Sequence, residues 1–108
     1  PINHTVVMRR ELLDDFPDAA AAIFAAYCHG KKRALARRIG STFVPWGKEY
    51  WTETMAVFDG DPFPMGLTES NRNNVGTLLR YLHEQKLISE LPEIEDLFLP
   101  GTAGFIEE

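Results

Sequence analysis

Three histidines, one cysteine and a handful of anion-binding side chains bound the chemistry this chain can do. His4 stands between Asn3 and Thr5 in a segment otherwise rich in apolar and hydroxyl residues. An imidazole there could donate a proton or hold a carboxylate near neutral pH, because its ordinary pKa lies close to 6.5. A strand-end histidine that only hydrogen-bonds a neighbour is the commoner case. Asn71 and Arg72 follow Pro62-Phe63-Pro64-Met65-Gly66-Leu67-Thr68 and open an amphipathic helix. A helix start has free N–H groups and the positive end of the dipole, so an arginine there could help clamp an anion. Position 72 also falls off the apolar stripe of that helix, which suits a solvated arginine equally well.

The remaining candidates carry less. Lys31, Lys32, Arg33, Arg37 and Arg38 concentrate the positive charge. With no aromatic residues interleaved, they suit a solvated face near a helix C-terminus better than a nucleic-acid patch. Trp46, Tyr50, Trp51 and Phe58 could line an aromatic-ligand pocket, but such residues more often form plain core. Cys28-His29 lacks a spaced acid or second base. His4, His29 and His83 lack metal-ligand spacing, and Gly66 and Gly76 fit no phosphate-binding loop. No metal and no cofactor is expected.

Composition sets the outer limits. The 108 residues suffice for one small domain, with 44% hydrophobic and 25% charged residues. A net charge of −5 argues against a nucleic-acid partner. One cysteine excludes an internal disulfide framework, which fits a reducing, cytoplasmic setting. No apolar run approaches the roughly 20 residues of a transmembrane helix, so no membrane partner is expected. A periplasmic location is the alternative if an export signal once preceded Pro1.

The elements that must position these residues are mostly helical. Residues 2–8 are β-branched and read as a short strand. Alternation puts His4 and Asn3 on opposite faces of that strand. Residues 9–16 suggest a helical turn, and Pro17 suits the first turn of the next helix over 18–38. A further helix is expected over 47–58, then a turn at Asp59-Gly60-Asp61-Pro62. Thr68 is the expected N-cap of a helix over 69–87, with Val75, Leu78, Leu79 and Leu82 as its buried stripe. A short last helix over 90–99 should point Ile94, Leu97 and Phe98 inward, and residues 100–108 read as a tail. About four helices and one strand result. A lone strand needs a partner ladder from elsewhere, either another copy or further sequence.

Two segments together carry a family resemblance. Pro1-Ile2-Asn3-His4-Thr5-Val6-Val7 is followed by Arg9-Arg10-Glu11-Leu12. Asp61-Pro62, Pro64, Gly66-Leu67 and Asn71-Arg72 are followed by Leu79-Arg80-Tyr81, His83-Glu84-Gln85 and Leu87. A weaker third match is Glu95-Asp96-Leu97-Phe98. The combination resembles the C-terminal part of the 4,5-dihydroxyphthalate decarboxylase family, whose members are considerably longer. Met65 stands where many relatives carry tyrosine, and Asn73-Asn74 and Gly76 stand where relatives favour charged and apolar residues.

That family is similar to periplasmic binding proteins of the second type, with two α/β lobes around a ligand cleft. The resemblance implies that residues 1–8 are a hinge strand, 9–99 a helical region and 100–108 a tail of a larger two-lobed protein. It implies decarboxylation of a dihydroxylated aromatic dicarboxylate, with His4 as proton donor and Asn3, Thr5 and Arg72 as substrate ligands. The partner would be a small aromatic carboxylate. Two other outcomes stay open: a solute-binding protein without chemistry, and a helical interaction domain with no ligand site. A chain of this kind on its own could form homo-oligomers through the face that missing sequence would cover.

Overall fold

A computed structural model describes residues 4–38 and 44–107, with the backbone alone described at Arg38. Four helices run in chain order: α1 (Glu11–Asp15), α2 (Ala19–Arg38), α3 (Gly47–Val57) and α4 (Glu69–Glu84). A single 3-10 turn (Ile94–Leu97) follows. The mostly helical expectation therefore holds. The short N-terminal strand does not: residues 4–8 are irregular, while residues 2 and 3 lie outside the described part. Val6 and Val7 stay exposed and no ladder partner reaches them among the described residues. β-branched composition cannot make a strand without a second strand to pair with.

Local chemistry explains the boundaries. Pro17 disfavours helical geometry at the residue before it, and Phe16 duly leaves the helix at φ −134°, ψ 79°. Asp18 then accepts the first bond of α2, from the Ala22 N–H at 3.0 Å. α3 ends in a left-handed pair, Asp59 (φ 51°) and Gly60 (φ 92°), with the Gly60 N–H bonded to the Met55 carbonyl at 2.8 Å. Thr68 caps α4 as expected, its hydroxyl accepting from the Asn71 N–H at 3.2 Å. α4 stops at Glu84 and not at 87. Lys86 turns left-handed (φ 60°), and the Leu87 N–H returns to the Leu82 carbonyl at 2.9 Å. No glycine marks that stop, so periodicity ran past it.

Packing is thin. Among the described residues only Leu67 and Leu79 are buried apolar side chains. Leu78 of the expected stripe is 55% exposed, and Leu97 also faces outward. The last helix over 90–99 reduces to one 3-10 turn, which packs Ile94 near Gly76 of α4. Trp46, Tyr50 and Phe58 are exposed, so they are not core among the described residues. Trp51 and Met55 are half-buried. The chain exposes 9016 Å². A compact protein of its 12.2 kDa mass exposes about 6,000 Å². Its radius of gyration is 16.9 Å, against about 13 Å for a compact chain of this length. The helices are therefore arranged as a slab, 46 × 40 × 21 Å, with much of its apolar surface uncovered.

Candidate functional site

The best-built part of the molecule is the loop Pro62–Leu67 and what holds it. Asn71 sits in the first turn of α4 and is buried. Its side-chain amide donates both hydrogens, to the Pro64 and Gly66 carbonyls, each at 2.7 Å. Carbonyls in a tight loop have no ladder to satisfy them, so a fixed donor fork is what allows the loop to be half-buried. Gly66 takes φ 86° and forms an antiparallel bridge with Ile106. The Glu107 N–H reaches the Met65 carbonyl at 3.3 Å. Phe105 tilts against Phe24 of α2 with ring centres 5.3 Å apart.

An ion cluster closes the arrangement. Lys31 of α2 donates to Asp61 Oδ2 at 2.7 Å and to Glu107 Oε2 at 2.5 Å. The second oxygen of Asp61 accepts from the Phe63 N–H at 3.0 Å, which shapes the loop entrance. The side chains of Lys31 and Glu107 are 8% and 11% exposed, so this is a largely desolvated pair, while Asp61 remains 41% exposed. The residues at 102–107 are thus anchored and not a free tail. Sequence reading missed this because Phe105 and Ile106 form too short an apolar run to define an element.

Burial alone would lower the Lys31 pKa. The hydrogen bonds to Asp61 and Glu107, with the charges of both carboxylates, outweigh it and hold the value above the usual 10.5. A raised folded pKa stabilises fully below the unfolded value and is lost as pH rises through the folded one. Lys31→Met should cost about 2 kcal/mol, less than the loss of a fully buried pair because Asp61 is partly solvated. The gap in urea midpoint between wild type and Lys31→Met should hold up to the ordinary lysine value and shrink above it. A gap that widens in alkali would contradict the assigned pairing.

Of the expected site residues, His4, Thr5 and Arg72 fall among the described residues. His4 and Thr5 are exposed in the irregular N-terminal segment, and Asn3 lies outside the described residues. Arg72 is not an open anion clamp. Its guanidinium pairs with Glu95 and ties α4 to the 3-10 turn, and that hydrogen bond lowers the Glu95 pKa. Among the described residues no group of three or more His, Cys, Asp or Glu is placed to hold a metal ion. No described helix is long and apolar enough to cross a membrane.

No family profile, curated protein or solved structure matches the chain. Function therefore rests on the geometry itself. Two open hollows are found among the described residues. One, of about 530 Å³, lies beside Asp15, Phe16, Asp18 and Ala22. The other, of about 370 Å³, lies between α2 and Met65, lined also by Tyr27, Gly30 and Ala34. Both are largely apolar and wide open, whereas small-molecule sites enclose most of their ligand. Lys31, at the edge of the second, already has two carboxylate partners.

Proposed function

We propose that this chain acts as an association module, completing a larger surface and not enclosing a ligand within itself. The observation that carries this is the surplus of exposed area, roughly 3,000 Å² beyond what a compact protein of this mass presents. That surplus exceeds the roughly 1,000–2,500 Å² that one partner of a large, obligate interface contributes. Phe16, Tyr27, Trp46, Tyr50, Phe58, Leu78 and Leu87 are among the apolar side chains left outside. Exposed apolar area of this extent marks an interaction face. The test is the dependence of the thermal midpoint on protein concentration, since association stabilises by mass action. A midpoint that stays fixed over a hundredfold dilution, with no added partner, would count against self-association.

A second reading concerns what such an assembly does. The resemblance of Asn3-His4-Thr5 and Pro64…Asn71-Arg72 supports a decarboxylase acting on a dihydroxylated aromatic dicarboxylate, in which this chain is the C-terminal part of a two-lobed protein. Loss of carbon dioxide from such a ring needs a proton delivered to the ring carbon and a pocket that holds the second carboxylate. The exposure of His4 and Thr5 leaves them free to face a second lobe. In this reading Asn71 builds the loop, and Arg72 reaches substrate only if it exchanges Glu95 for a carboxylate of the ligand. In a protein carrying both lobes, His4→Ala should remove carbon dioxide release from 4,5-dihydroxyphthalate while the far-ultraviolet spectrum is unchanged. Undiminished turnover would remove His4 from the chemistry, and ligand binding without turnover in the wild type would favour a solute-binding protein.

A further inference from the structure

We propose that α2 pairs antiparallel with α2 of a second copy of this chain, crossing near Ala26; this rests on the association reading and names the partner. Ala22, Ala26 and Gly30 repeat at four-residue steps, so they share one face of the helix. That face is exposed, and a Cβ built on Gly30 would meet nothing within 4 Å. Both open hollows lie along it, one toward each end. Small side chains on such a face let two helix axes approach closely.

Charge decides which partner fits. Asp15 and Asp18 stand at the N-terminal hollow, and Arg33 and Arg37 follow Gly30 on the same face. All four are exposed, and none forms an ion pair among those described. Asp18, just before the first residue of α2, and Arg33 lie eight and seven positions from Ala26, on opposite sides. A two-fold axis through Ala26 therefore brings Asp18 of each copy close to Arg33 of the other, with Asp15, at the end of α1, adding its charge at the same hollow. The surface is self-complementary, as an isologous interface requires. A parallel pairing would oppose like charges at both ends. The roughly 3,000 Å² of surplus surface per chain is ample for an obligate homodimer.

The test is sedimentation equilibrium on the full chain in three forms: wild type, Arg33→Glu/Arg37→Glu, and Asp15→Lys/Asp18→Lys. Each reversal alone should weaken self-association about tenfold or more. Mixing the two reversed forms should restore a dimer, which shows that both remain folded. In a Cys28→Ser background, Ala26→Cys should cross-link to itself on mild oxidation, because the crossing point brings the two Cα atoms within disulfide range. Three results would overturn the proposal. An oligomer indifferent to both reversals, without the Ala26→Cys cross-link, leaves the association reading standing and removes α2 as its face. An expanded monomer that binds a separate α/β lobe does the same. A compact monomer removes both.

Discussion

Gly66→Ala is expected to destabilise the chain by about 2–4 kcal/mol and to release residues 105–107 from the Pro62–Leu67 loop. Two independent costs add. At φ 86° a side chain is strained, which costs on the order of 1 kcal/mol. The larger cost is steric. A Cβ on Gly66 would lie 1.8 Å from the Phe105 carbonyl oxygen and 2.8 Å from its carbon. Those are backbone atoms, so no rotamer change relieves the overlap. The bridge to Ile106 must open, and the Glu107 N–H loses the Met65 carbonyl with it. Hydrogen exchange should show the Glu107 amide deprotected while the α4 amides keep theirs. A variant within about 0.5 kcal/mol of wild type, the range of an ordinary surface change, would mean that this contact does not form.

The second large effect lies at Asn71. Asn71→Leu keeps much of the volume but leaves the Pro64 and Gly66 carbonyls without their shared donor. Stranding two such groups should cost about 2–4 kcal/mol. Asn71→Asp is the sharper probe. An ionised carboxylate only accepts, so it would face two carbonyl oxygens with no hydrogen to offer. Its protonated form donates once. The folded state therefore raises the pKa of this introduced carboxyl, and the variant gains stability relative to wild type as pH falls from neutral toward about 4. Urea unfolding at both pH values reads the difference directly. An Asn71→Asp variant as stable as wild type at neutral pH would show that the amide does not hold the loop.

How much of this was legible in the sequence depends on range. The signals that worked are local. Pro17 separates α1 from α2, Asp59-Gly60 ends α3, and Thr68 caps α4, each through backbone rules that act within a few residues. The failures are all tertiary. Residues 4–8 have strand composition but no strand to pair with among the described residues. Trp46, Tyr50, Phe58 and Leu78 have core composition but no opposing layer among the described residues. Periodicity says which way a side chain points and not whether anything lies there.

The candidate site divides in the same way. Asn71 and Arg72 drew attention as an anion clamp because a helix start offers N–H groups. Distant residues decide their roles instead: Asn71 reads loop carbonyls, and Arg72 meets Glu95 across the α4–3-10 contact. Lys31 looked like one member of a solvated basic run. Its partners, Asp61 and Glu107, lie 30 and 76 positions away, beyond any spacing rule. The Pro-Met-Gly-Leu stretch keeps its distinction as the most tightly specified loop of the molecule, and the specification serves shape.

The central claim, that the chain works by covering its open apolar surface with a partner, is tested most directly by small-angle X-ray scattering over a dilution series. The predicted result is an associated particle at high concentration and, on dilution, a chain that stays expanded, near the 16.9 Å radius of gyration of the structure or above it. A monomer at every concentration with a radius near 13 Å, the value for a compact domain of this length, would contradict it.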